Sequence, residues 1–129
     1  MAYPTDVRYT REHEWARLGD GLVTVGITNY ATDQLGDVVF VELPPVGKEV
    51  ETGKPFGVVE AVKTVSDLYA PVAGQVVEVN GAIAANPALV NQAPYGEGWM
   101  IRIRPRDPAE VSRLLSSADY EKLVEEQHA

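Results

Sequence analysis

In the stretch Gly57-Val58-Val59-Glu60-Ala61-Val62-Lys63-Thr64-Val65-Ser66-Asp67-Leu68-Tyr69, two strand-forming runs meet at a lysine. Phe56–Val62 and Val65–Ala70 are rich in β-branched and aromatic side chains, so each reads as a strand. A tight turn between such strands normally takes Asn-Gly, Asp-Gly or another glycine at its tip. Here the tip is Val62-Lys63-Thr64, and two of those three residues are β-branched. A local rule broken at one lysine marks a place where function overrides turn chemistry. The chemistry open to Lys63 is acyl acceptance. At an apex its ammonium stands clear of the body, its flexible stem gives it reach, and the strands hold its base. With an ordinary lysine pKa of about 10.4, well under about 1% is free amine near neutral pH. Amide formation therefore calls for a modifying enzyme that grips the tip and removes the proton.

Other chemistries find less support. His13-Glu14 begins like a zinc metalloprotease motif, but Arg17 stands where the second histidine belongs. Two histidines and no cysteine give no expected metal site. With no cysteine, disulfides and thiolate catalysis are excluded, and any thiol chemistry must arrive on a cofactor. No Gly-Lys-Ser or Gly-Lys-Thr phosphate loop is present. The 19 Asp and Glu residues single out no hydrolytic pair, so no catalytic residue is assigned. A hydrolase would turn over substrate as the purified chain, which is not expected.

The elements that must position Lys63 read as mainly β. The 129 residues are expected to form one domain, a β core over about 7–105 and a helical segment over about 107–127. His13–Leu18 and Leu22–Ile27 flank Gly19-Asp20-Gly21, a hairpin signal, with Trp15 and Val25 facing the core. Thr28–Leu35 reads as a short helix, Thr28 its N-cap and Gly36 the glycine that ends it. Val38–Leu43 and Gln75–Asn80 read as further strands. In Trp99–Arg104, Trp99, Ile101 and Ile103 alternate with Met100, Arg102 and Arg104, so the arginines are expected along a solvated strand edge. Gly36-Asp37-Val38-Val39-Phe40-Val41 and Gly74-Gln75-Val76-Val77-Glu78-Val79 share Gly-x-Val-Val-x-Val, which suggests two similar β halves packed face to face with Lys63 between them. Asp107-Pro108-Ala109-Glu110 starts a helix with Val111, Leu114, Leu115 and Ala118 on one face. Ser117 is expected to cap a second helix, with Tyr120, Leu123, Val124 and Gln127 on one side.

Composition sets the class. Apolar residues make up 45% of the chain, a globular value. The net charge of −8 argues against nucleic acid and anionic membranes as partners. It suits docking onto proteins with basic patches. The N-terminal residues carry no basic stretch leading into an apolar run, and no stretch is long enough to span a bilayer. A cytoplasmic monomer is expected.

Four segments together resemble the glycine cleavage H proteins. They are Tyr9-Thr10-Arg11-Glu12-His13-Glu14-Trp15, then Val25–Ala31 with Leu35–Pro44, then Glu60–Asp67 around the lysine, then Pro94-Tyr95-Gly96-Glu97-Gly98-Trp99-Met100-Ile101. The likeness runs in order through nearly the whole chain. It implies a barrel-sandwich hybrid of the lipoyl/biotinyl carrier type, with lipoate amide-linked to Lys63. Glu60, Val62 and Thr64 then belong to the hairpin that a lipoyl or octanoyl transferase or ligase reads. A biotin carrier would have methionines where Val62 and Thr64 stand. The resemblance also implies three partner enzymes. A pyridoxal-phosphate (PLP) glycine decarboxylase loads an aminomethyl group, a tetrahydrofolate-dependent aminomethyltransferase takes its carbon, and a flavin (FAD) dihydrolipoamide dehydrogenase reoxidises the dithiol. In this family the arm docks in a cleft on the carrier, whose residues match Glu12, Glu14 and Asp67. Glu12 replaces a serine found in some members. A lipoyl donor serving other enzymes, and an unmodified β scaffold, remain the alternatives.

Overall fold

The computed structural model describes residues 2–128. Among the described residues nine strands form two antiparallel sheets. A six-stranded sheet runs in the order β1 (Arg8–Tyr9), β2 (Glu14–Gly19), β3 (Leu22–Ile27), β9 (Ile101–Pro105), β8 (Gly74–Val79), β5 (Glu49–Val50). A three-stranded sheet runs β4 (Val38–Glu42), β6 (Pro55–Ala61), β7 (Val65–Tyr69). Between them lies the main core. Val23, Val25, Val76, Ile101 and Ile103 come from the larger sheet, and Val41, Val59 and Leu68 from the smaller. This is the expected barrel-sandwich architecture. The two copies of the short repeat fall in different sheets, β4 in one and β8 in the other, and both contribute buried valines.

The β2–β3 hairpin closes through Asp20 and Gly21, with φ of 53° and 76°. Both angles are left-handed, which is why an Asp-Gly pair sits there. Helix α1 (Asn29–Leu35) begins as its sequence requires. The Thr28 hydroxyl accepts the Ala31 N–H at 3.1 Å, and Gly36, with φ of 80°, ends it.

Several expectations are corrected. Helices α2 (Gly81–Ala85) and α3 (Ala88–Gln92), of five residues each, lie in a stretch the sequence left unassigned. Their Ile83 and Val90 share the core with Met100, so Met100 is fully buried rather than facing solvent with the arginines. Trp99 precedes the strand and lies half-buried, with the Arg102 guanidinium 4.0 Å from its ring. Strand β9 is also interior, so Arg102 stands on a sheet face, paired with Glu78 at 2.6 Å. Pro108–Arg113 is a 3-10 helix rather than a continuing α-helix. Leu115 leaves the helical path because it pairs both ways with Tyr9, each bond 2.9 Å. Helix α4 (Ser117–His128) is capped one residue earlier than expected, by the Ser116 hydroxyl accepting from Asp119 N–H. It buries Tyr120 and Val124 in a second, aromatic cluster, where Tyr120 stacks on Tyr9 with centroids 4.5 Å apart.

Candidate functional site

Strands β6 and β7 pair down to Glu60 opposite Val65 and meet at Val62-Lys63. Neither tip residue adopts a positive φ. The turn is therefore not one of the glycine-requiring hairpin types, and it needs outside support. The Ala61 N–H donates to the Thr64 carbonyl at 2.8 Å, and the Val62 N–H donates to the Asp37 carbonyl at 3.0 Å. The Asp37 segment is itself clamped. Asn91, from α3, donates its amide to the Gly36 carbonyl and accepts the Val38 N–H, each at 2.9 Å. The lysine stem runs near Gly36. A Cβ on residue 36 would stand 3.8 Å from Lys63 Cδ and Cε. So one asparagine, on a helix the sequence did not announce, steadies the loop that steadies the tip.

Lys63 is exposed, and among the described residues nothing pairs with its ammonium. Beside it Val62 is 71% exposed and Val65 60%. Phe40, paired with Glu60 across β4–β6, is exposed as well. The apex is thus an amine set in apolar surface, with Glu60 and Thr64 at its sides, a surface suited to contact with another protein.

A cleft of ≈ 270 Å³ opens alongside the hairpin. It brings Glu12, Glu14 and Asp67 together. Its walls are the Glu12–Glu14 approach to β2, the inner face of α1 and Ser66-Asp67 on β7. Ile27, Leu35, Val59 and Leu68 supply apolar lining. Ser66, the second residue of β7, is three residues on from Lys63 in the chain. Leu35 immediately precedes Gly36, near which the lysine stem runs. The cleft therefore begins close to the apex.

Within it Glu14 is the unusual group. Its side chain is 2% exposed, and among the described residues no cation pairs with it. Thr10 donates its hydroxyl to Oε1 at 2.9 Å, and Tyr69 N–H donates to Oε2 at 3.3 Å. Burial pushes its pKa up to about 8; these two donors offset part of the rise and the nearby Glu12 carboxylate adds to it. Near neutral pH it is largely a neutral acid. Glu12 and Asp67 are exposed at the rim.

His13 also lines the cleft and is not the strand residue expected. Its φ is 74°, and burial lowers its pKa, with a hydrogen bond to Gln127 acting the other way. Sequence reasoning missed its role, along with those of Tyr30, Gln34 and Ser66. Only the helical spacing of Tyr30 and Gln34 offered a signal. Trp15 is core as expected, its indole N–H donating to the Ile27 and Pro94 carbonyls. Among the described residues no His, Asp and Glu group has an arrangement that would hold a metal ion, and no helix is long and apolar enough to cross a membrane.

Comparisons with known proteins agree with one another. Residues 7–127 match the family described as Glycine cleavage H-protein. A glycine cleavage system H protein from Thermus thermophilus is 55% identical over 125 residues, covering 97% of this chain and 98% of its own length. Its counterpart from Carboxydothermus hydrogenoformans is 54% identical over 124 residues, covering 96% and 95%. The crystal structure of a glycine cleavage system H protein from Mycobacterium marinum superposes with a TM-score of 0.86 at 42% identity, covering 98% of this chain and all of that one.

Proposed function

Since this chain belongs to the glycine cleavage H-protein family, a carrier component rather than a catalytic enzyme, we propose that it bears lipoate amide-linked to Lys63. In this reading it works in the cytoplasm as a single carrier unit. It takes the aminomethyl group of glycine from a PLP glycine decarboxylase to a tetrahydrofolate-dependent aminomethyltransferase, and dihydrolipoamide dehydrogenase restores the dithiol. When attached, the lipoyl group supplies a dithiolane that opens to hold the one-carbon unit and closes again on oxidation.

The observation that carries the reading is the unpaired, exposed Lys63 at a braced β apex beside a cleft with a buried carboxyl. The residues fit the group. Lys63 offers the amine, and the apolar tip offers the modifying enzyme a surface to grip. Glu14 offers a buried carboxyl that stays protonated until a cation arrives. An ammonium brought against it would draw its pKa back down, and the resulting charge-assisted hydrogen bond is stronger than a neutral one. Asp67 and Glu12 add negative charge at the rim, and Val59 and Leu68 keep the floor apolar.

The test is Lys63→Arg. It should fold with an unchanged melting curve, remain unlipoylated, and fail to support glycine–bicarbonate exchange by the decarboxylase. Exchange at the wild-type rate by that variant refutes the attachment.

A further inference from the structure

The C-terminal helix reaches the cleft through Tyr120, beside the hydrogen bond between Gln127 and His13. Tyr120 on α4 is fully buried, and its OH lies 2.7 Å from His13 Nδ1 and 2.8 Å from Thr28 Oγ1. Those two partners belong to different walls. His13 precedes β2 and adjoins Glu14. Thr28 is the N-cap of α1, whose inner face is the opposite wall. His13 also needs holding. A non-glycine residue at φ 74° is in a conformation that persists only when its surroundings impose it. Its carbonyl accepts from Thr28 N–H at 3.0 Å, and its ring rests 4.8 Å from that of Tyr30. The Tyr120 hydroxyl, from outside these two walls, hydrogen-bonds to both.

We infer that Tyr120 is a positioning residue for arm docking: its hydroxyl, bridging His13 Nδ1 and Thr28 Oγ1, sets the spacing of the cleft's two walls and so ties the C-terminal helix to the carrier's cargo site. The inference rests on the proposed cleft function. It gives α4 a role that packing alone does not, because the stacked ring could be kept and the bridge still lost. Phenylalanine at 120 does that. It preserves the contact with Tyr9 and removes the hydroxyl.

Two readouts test it with full-length protein. In nitrogen-15 histidine spectra of the unmodified chain, Tyr120→Phe should shift the Nδ1 resonance of His13, whereas Thr28→Ser, which keeps a hydroxyl, should not. In lipoylated protein loaded with the aminomethyl group, spontaneous loss of the group should be about five-fold faster in Tyr120→Phe, the effect of removing roughly one net hydrogen bond from the closed cleft. Thr28→Ser should retain the wild-type rate. A protected wild type with an equally protected Tyr120→Phe, or an unmoved His13 signal, overturns the inference alone. A wild type that loses its group as fast as the adduct on free lipoamide overturns the cleft reading and this inference with it.

Discussion

Glutamine at position 14 keeps the shape of the side chain and removes its proton. The Glu14 carboxyl has an ordinary pKa of 4.5, raised in the folded chain to about 8 by burial. Between those values the folded chain holds a proton that the unfolded chain has given up. Stability from this group is therefore fully present below about pH 4.5, falls as pH rises, and is lost once pH passes the folded-state value. The slope is about 1.4 kcal/mol per pH unit, and the whole excursion is roughly 5 kcal/mol. For a domain whose total stability is about 5–15 kcal/mol, that is a large share. The assay is urea unfolding of wild type and Glu14→Gln at unit steps from about pH 5 to about pH 9. Wild-type stability minus that of Glu14→Gln should fall steadily across the range and flatten near its top. A difference independent of pH would mean that the carboxyl is ionised throughout, and would remove the reason for calling it a cation acceptor held in reserve.

Three other outcomes are expected. Asn91→Ala removes both bonds of the clamp on Gly36–Val38, at a cost of about 2 kcal/mol; chemical denaturation checks this. The same variant should be lipoylated more slowly by a purified ligase, followed by mass spectrometry, since the Val62 N–H depends on the clamped Asp37 carbonyl. Gly26→Ala puts a Cβ 2.7 Å from three atoms of the Trp15 indole, and the strain should lower stability by about 1–3 kcal/mol, read as a reduced unfolding midpoint.

What the sequence disclosed was local. The Asp20-Gly21 turn, the Thr28 cap and the β-branched runs on either side of Lys63 each carry their structure within a few residues, and each formed as expected. Arrangements built by distant partners were not visible. Leu115 has helical spacing with Val111, yet it pairs with Tyr9, more than a hundred residues away, through two backbone hydrogen bonds on the free edge of a two-residue strand. Met100 alternates with Trp99 and Ile101 on paper, yet α2 and α3 cover what looked like its solvent side. Five-residue helices bury too few apolar side chains to leave a periodic signal. At the site, Lys63, Glu12, Glu14 and Asp67 were named from the segments resembling the H-protein family. The brace from Asn91 and the bridge from Tyr120 depend on tertiary contacts that no motif records.

The central claim is one lipoyl amide on one amine, and peptide mapping of protein from lipoate-replete cells tests it most directly. Of the four lysines, Lys48, Lys54, Lys63 and Lys122, only Lys63 should carry the group. A lipoyl mass on any other lysine, or a fully unmodified chain from cells whose other carriers are lipoylated, would contradict the account.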